Sequence, residues 1–328
     1  MEKRILGTDM EVSAVGLGCM GFTHAYGMPS DEKEAKEAII QSLDFGYTFF
    51  DTAQCYTGMD ADGSIRYNEA LVGAALKDDR HTVKIATKFG VHHSPEGLIT
   101  DARPETIRSA VEGSLKRLQT DYVDLYYQHR MDPDVPAEEV AGVMSELMQE
   151  GKILHWGISE TDEEYLRKAH AVCPVTCIQN RYSMMARWYE RLFPVLEELH
   201  VGYVAFSPLA NGTLTSGYRR GEVFEKGDYR SFMPQYTQEG YQENQQLMKY
   251  LIGLAEEKKA TIAQISLAWM LCKKPYIVPI PGSRKIARIK ENAGAADIKL
   301  SVDEVARIDE KLSVIKISGV FGGSPTSR

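Results

Sequence analysis

Gly16-Leu17-Gly18-Cys19-Met20-Gly21 matches the G-x-G-x-x-G spacing that opens a dinucleotide-binding βαβ unit, and it follows a strand-like run beginning at Val15. In such a unit the third glycine opens a helix, and an acidic residue follows about 20 positions later. Neither condition is met. Phe22 to Ser30 contains Gly27 and Pro29, the first helical pattern starts only near Asp31, and Asp51 follows Gly21 by 30 positions. The glycines are therefore expected to form a tight turn at the end of a first barrel strand, not a phosphate cradle in an open sheet.

Outward from this segment, short β-branched or aromatic runs alternate with longer amphipathic stretches, the pattern of parallel strands joined by helical crossovers. The strand runs are 15–18, 48–51, 83–88, 123–128, 154–159, 176–179, 202–206 and 276–280. Helical patterns cover 32–45, 68–76, 104–118, 137–149, 163–171, 188–199 and 241–258, with a closing pair at 286–295 and 302–312. Helix starts are signalled by Ser30-Asp31, Asp162, Thr261 and Ser301, the last with Glu304 at capping-box spacing. Eight alternations without a linker rich in Pro, Gly or Ser predict an α/β fold, a single (β/α)8 TIM barrel over residues 1–328. It carries a long loop after strand 7, at 211–240, and C-terminal helices. An aperiodic stretch of that length inside a compact domain suits a lid or binding loop.

Composition narrows the function classes. The 46 acidic against 38 basic residues give a formal charge of −8, and no basic stripe interleaved with aromatics occurs, so no nucleic-acid partner is expected. No apolar run approaches the roughly 20 residues that cross a bilayer. The first seven residues lack the apolar core of a secretory signal, so no membrane association and a cytoplasmic location are expected. Five scattered cysteines fit reduced thiols, with neither a disulfide framework nor a metal site. No separate apolar stripe marks an assembly surface, and a monomer is expected.

Chemistry in a barrel gathers at the carboxyl ends of its strands. Asp51 ends the second strand run, Tyr56 lies on the loop behind it, Lys88 ends the third, and His129 follows the fourth. Singly, each has an ordinary structural explanation, such as a turn cap or a solvated side chain. Together, a carboxylate, a phenol, an amine and an imidazole at adjacent strand ends form an acid and base constellation. A second feature is the run 273–290, which holds Lys273, Lys274, Arg284, Lys285, Arg288 and Lys290 without an acidic residue. Gly282-Ser283 ends the eighth strand where a helix is expected to open, a position suited to phosphate. Arg284 and Arg288, four apart, are expected to share a helix face and reach one phosphate.

Seven segments resemble the aldo-keto reductase superfamily, in the family's order: Phe50-Asp51-Thr52-Ala53 with Tyr56, Thr87-Lys88, Asp124 to His129, Gly157-Ile158-Ser159, Ile178 to Ser183, Phe206-Ser207-Pro208-Leu209, and Ile280-Pro281-Gly282-Ser283. The Gln128-His129-Arg130 run is similar to the bacterial and plant branch. The resemblance implies an NADPH-dependent enzyme, using NADPH/NADP+ to reduce a small-molecule aldehyde or ketone, with Asp51, Tyr56, Lys88 and His129 as the catalytic tetrad. It implies Ser159 and Gln179 at the nicotinamide carboxamide, Phe206 stacked on the ring, and Ser207, Leu209 and Gly212 along the pyrophosphate. It places Gly282, Ser283, Arg284, Lys285 and Arg288 at the adenosine 2′-phosphate, with Glu291 and Asn292 near the adenine. Met20 belongs with the cofactor segments, and Phe22, Phe89, Met131 and Tyr182 are expected to wall the substrate pocket. Three residues depart from the family's common pattern: Phe206 for a tyrosine, Glu160 for an asparagine and Gly282 for a lysine.

Carbonyl reduction puts negative charge on oxygen, so a proton donor must stand beside it. A free phenol titrates at about 10, and a neighbouring ammonium is expected to lower the Tyr56 value, with Asp51 holding the Lys88 amine protonated. Neutral His129 would orient the carbonyl. Two other classes compete: a regulatory protein that senses the cofactor on the same fold, and a metal-dependent barrel hydrolase built on Asp51 and His129.

Overall fold

The structure, a computed structural model, describes residues 1–94, 97–322 and 326–327. At its centre eight parallel strands stand side by side in chain order. They are β1 (Leu17–Gly18), β2 (Phe49–Asp51), β3 (Lys84–Phe89), β4 (Val123–Gln128), β5 (Ile153–Ser159), β6 (Cys177–Arg181), β7 (Gly202–Phe206) and β8 (Ile277–Pro279). Register pairs such as Asp51 with Ala86, Tyr127 with Lys88 and Gln128 with Ile158 bring the carboxyl ends of β2 to β5 to one rim.

The barrel closes between β8 and β1, where the Gly16 N–H donates to Pro279 O at 2.9 Å. This seam explains two of the glycines with which the sequence reading began. A Cβ on Gly18 would lie 2.8 Å from Ile280 O, and one on Gly282 would lie 2.7 Å from Gly18 O. Gly16, Gly18 and Gly21 all keep an ordinary negative φ. The expected turn exists as a 3-10 turn at Met20–Phe22, but Gly18 serves close backbone approach and Gly16 leaves room for the Phe49 and Ile280 side chains, so neither serves turn conformation.

Inside the barrel, Phe49, Ala86, Leu125, Tyr127, Cys177, Val204 and Val278 pack on Leu6, Met10 and Val12. The last three belong to an antiparallel hairpin, Lys3–Leu6 with Met10–Ser13, that plugs the amino-terminal end and was not expected from the sequence. The outer core joins the far faces of the strands to the helices. These are α1 (Glu32–Asp44), α2 (Asn68–Leu76), α3 (Pro104–Leu118), α4 (Ala137–Gln149), α5 (Glu163–Val172), α6 (Phe193–Leu199), α7 (Gln238–Glu243), α8 (Gln245–Lys258), α9 (Ile262–Lys273), α10 (Ile286–Ala293) and α11 (Val302–Val314). Asp31, Asp162, Thr261 and Ser301 each accept a first-turn backbone N–H, as their positions suggested, and both Thr261 and Ser301 form capping boxes.

The expected helix at 188–199 divides into a 3-10 turn, Trp188–Leu192, and α6, which starts beside Pro194. Helix α9 has no counterpart among the expected elements beyond its Thr261 cap. Two further hairpins, Thr57–Met59 with Ile65–Tyr67 and Val91–Ser94 with Gly97–Thr100, rise from the loops after β2 and β3. Among the described residues no helix is long and apolar enough to cross a membrane.

Candidate active site

Lys88 stands at the junction of the rim residues. It points from β3 into the barrel with no exposed surface, and its Nζ donates to Asp51 Oδ1 at 2.5 Å, to Thr52 O at 2.8 Å and to Tyr56 Oη at 3.4 Å. The other Asp51 oxygen accepts from Gln179 Nε2 at 2.7 Å. Burial works against the Lys88 charge, but Asp51 and Tyr56 outweigh it and hold the ammonium above its ordinary pKa. Burial raises the Asp51 pKa, opposed by Lys88 and Gln179. The direct hydrogen bonds to both carboxylate oxygens favour the ion pair.

Tyr56 behaves differently from the sequence expectation. Burial pushes its phenol up to about 12, and Lys88 offsets only part of that rise. Desolvation thus outweighs the ammonium, and the phenol is protonated at neutral pH. His129 meets Tyr56 edge to face with ring centroids 5.7 Å apart, and its Nδ1 lies 3.4 Å from Cys55 Sγ. Burial, then the charges of Arg130 and Lys88, hold its pKa well below the ordinary value. The imidazole is therefore neutral.

Above these groups opens a cavity of about 730 Å³, a volume suited to a cofactor or small ligand. Asp51, Tyr56 and His129 line its floor, with Lys88 just beneath. Of the residues tied to a cofactor by resemblance, Met20, Ser159, Gln179, Phe206, Ser207, Leu209, Gly212, Gly282, Ser283, Arg284, Lys285, Arg288 and Asn292 all line it. Glu291 does not; it pairs with Arg288 at 2.7 Å. Beyond β7, the long loop crosses to the loop after β1: Tyr229 N–H donates to Ala25 O at 3.0 Å, and the Tyr26 and Tyr229 hydroxyls meet at 3.1 Å.

The basic end of the cavity departs from the expected helix face. Helix α10 begins only at Ile286, so Arg284 precedes it and Ser283 does not open it. Ser283 Oγ instead accepts the Lys285 N–H at 3.1 Å, and Arg284 Nε donates across the seam to Gly21 O at 2.5 Å. Arg284 Nη2 is buried without a partner. An orphaned guanidinium nitrogen beside Lys285 and Arg288 in one cavity is a donor set that fits phosphate oxygens.

The four residues expected to wall the substrate pocket lie outside the cavity. Phe22 and Phe89 are buried in the outer core, Phe89 against Tyr126 at 5.1 Å between ring centroids. Tyr182 stacks on Trp269 at 5.3 Å and donates to Glu190 at 2.7 Å, while Met131 Sδ accepts from the Thr161 hydroxyl at 3.8 Å. The walls are formed instead by His24, Val91, His93, Leu98, Arg130 and Arg181, among others; Arg130 and Arg181 stood within the segments that resemble the family, but none of the six was given a role in the pocket from the sequence. Among the described residues no three His, Cys, Asp or Glu side chains are grouped to hold a metal ion. The Asp51 oxygens that a metal-dependent hydrolase would need are engaged by Lys88 and Gln179.

The sequence matches the profile of the Aldo/keto reductase family over residues 14–313. It is similar to the Glycine max protein named "Probable aldo-keto reductase 1", with 39% identity over 319 residues, 96% of this chain and 90% of that one. The fold is similar to that of a glycerol dehydrogenase from Gluconobacter oxydans, with a TM-score of 0.84 and 26% identity over 98% of each chain. It is also similar to an aldo/keto reductase from Klebsiella pneumoniae solved in complex with NADP and acetate, with a TM-score of 0.71 and 28% identity over 95% of this chain and 96% of that one. With a match over nearly its whole length, the chain belongs to the aldo/keto reductase family.

Proposed function

We propose that the protein is an NADPH-dependent reductase of aldehydes and ketones, working as one barrel over residues 1–328, with Tyr56 as the proton donor. The observation that carries this reading is the buried Lys88 ammonium, which bridges the Asp51 carboxylate and the Tyr56 phenol beneath a cavity large enough for cofactor and substrate. Tyr56 holds its proton at neutral pH, since burial lifts its pKa to about 12. As negative charge grows on a carbonyl oxygen, the phenol gives that proton up, and Lys88 stabilises the phenolate left behind. The ammonium costs no reorganisation at that moment, because Asp51 and Thr52 O already fix its position. Neutral His129 is suited to hold the carbonyl oxygen by one ring nitrogen while Cys55 occupies the other.

The bound nicotinamide would supply hydride to the carbonyl carbon. Gln179 spends its amide N–H on Asp51 and keeps its oxygen for the carboxamide, and Ser159 accepts from Arg130 at 3.3 Å while its own hydroxyl hydrogen remains available. Phe206 offers a flat face to the ring. Ser207, Leu209 and Gly212 are assigned to the pyrophosphate, and Lys285 and Arg288 to the 2′-phosphate. Arg284, drawn to Gly21, is assigned to the space between them. That structures of a Klebsiella pneumoniae aldo-keto reductase were solved with NADP and with NADPH supports a nicotinamide cofactor.

Mixing the protein with NADPH and a panel of small aldehydes while following nicotinamide absorbance tests the reading. Aldehyde-dependent loss of absorbance is expected. NADPH binding without turnover of any aldehyde would favour a cofactor-sensing role instead.

A further inference from the structure

Asp51 is the one carboxylate lining the cavity among the described residues, and it is occupied by Lys88 and Gln179. Six cationic side chains share that lining. Arg284, Lys285 and Arg288 lie at the β8 end, and Arg230 is paired with Asp228 at 2.6 Å. Arg130 and Arg181 remain, and no described carboxylate forms an ion pair with either.

Arg181 ends β6, two residues beyond Gln179 and so on the same inward face. It is only 4% exposed; its Nη1 reaches Asn211 Oδ1 at 3.3 Å, and its Nε has no partner. Glu160 is near, but its oxygens accept from the Arg181 backbone N–H at 3.1 Å and from the Tyr189 hydroxyl at 3.4 Å. Arg130 follows His129, and its Nη1 donates to His129 O at 2.6 Å and to Ser159 Oγ at 3.3 Å. Its Nε and Nη2 make no hydrogen bond to a described residue. Burial lowers the Arg181 pKa, and the Arg130 charge is among the groups that lower it further, so the two guanidinium groups sense each other. Burial lowers both His24 and His93, so neither adds charge to this wall at neutral pH. Two like charges facing one cavity without an acid are unfavourable until an anion joins them.

We propose that Arg130, backed by Arg181, is an oxyanion subsite of the substrate pocket, and that the preferred substrates are aldehydes or ketones bearing a carboxylate. Anion binding stands on the arginines alone; the substrate class rests on the reductase reading. Arg130 is tethered to the backbone of His129, so the carboxylate must be separated from the reacting carbonyl by a spacer of a few atoms. A guanidinium fork matches a carboxylate in shape as well as charge.

The probes are para-carboxybenzaldehyde and its methyl ester, which differ in charge at one end. The wild-type protein is expected to favour the acid in kcat/KM by about tenfold or more. Arg130→Met should shrink that preference by about ten- to hundredfold, mainly through KM, and Arg130→Lys should fall between. A preference that survives in Arg130→Met overturns the subsite. So does an equal loss on both probes accompanied by weaker NADPH binding, which would assign Arg130 to the cofactor. Turnover of neither probe by the wild-type protein would count against the reductase reading itself. In that event calorimetry with para-carboxybenzyl alcohol and its methyl ester, on protein saturated with NADP+, decides the subsite alone. Tighter binding of the acid that disappears in Arg130→Met supports it, and equal binding of acid and ester overturns it.

Discussion

Replacing Lys88 with methionine removes one charge of a buried pair and keeps the volume of the side chain. Asp51 then stays buried with Gln179 as its remaining side-chain partner. Breaking a buried ion pair from one side costs about 3 to 5 kcal/mol. For a chain of this length, a loss of about 4 kcal/mol lowers Tm by roughly 6 °C. The deficit also depends on pH. Burial already raises the Asp51 pKa, and Lys88 is the chief group lowering it, so its removal leaves the folded-state value above the unfolded value of about 3.9. A carboxyl raised in this way binds more protons folded than unfolded. Its stability contribution is present at low pH and is lost as pH rises toward the folded pKa. Lys88→Met should therefore lie closer to wild type at about pH 5 than at about pH 8. The double variant Asp51→Asn, Lys88→Met should recover most of the stability and lose the pH dependence, without regaining turnover. Thermal unfolding of the wild type and the single and double variants at both pH values checks this. Equal Tm values for the single and double variants at the higher pH would refute the buried pair.

Three further outcomes follow from the same geometry. Reduction should hold a plateau from about pH 7 to about pH 9, because His129 is neutral and Tyr56 protonated throughout. It should fall at the alkaline end as the phenol ionises toward its value of about 12, and a break within the plateau in the pH–rate profile would contradict the two assignments. Arg288→Ala should weaken NADPH by about tenfold or more while sparing NADH, whereas Arg284→Ala should weaken both; fluorescence titration of both cofactors reads the difference. Gly18→Ala would press a Cβ to 2.8 Å from a backbone oxygen at the seam, so denaturant unfolding should show a loss of about 1 to 3 kcal/mol.

Helices α3 and α4, whose amphipathic period is clean, begin and end at the residues the sequence indicated, and so do α2, β4 and β7, which are mostly apolar runs buried along nearly all their length. Helix α9 escaped because it is buried from Ile262 to Leu271 except at Gln264, and a helix apolar on every side shows no 3.6-residue stripe. The floor hairpin and the two rim hairpins are runs of three or four residues, too short for alternation to stand out. Asp51, Lys88 and His129 could be located because strand ends converge, but the pocket walls were sought among chain neighbours. Adjacent strand residues face opposite ways. Phe89 therefore turns outward beside inward Lys88, and Tyr182 lies in the outer core beside Arg181. A step of two from Gln179 leads to Arg181. The basic end misled for a different reason: spacing alone suggested a shared helix face, while the Ser283–Lys285 turn delays the helix beyond Arg284.

The central claim is that the buried Tyr56 phenol delivers the proton, and substituting Tyr56→Phe tests it most directly because only one oxygen is removed. Turnover and NADPH binding are measured on the same preparation, by nicotinamide absorbance and by fluorescence titration. The expected result is loss of aldehyde reduction by about a hundredfold or more, with the NADPH dissociation constant within a few-fold of wild type. Aldehyde reduction at the wild-type rate by Tyr56→Phe would contradict it.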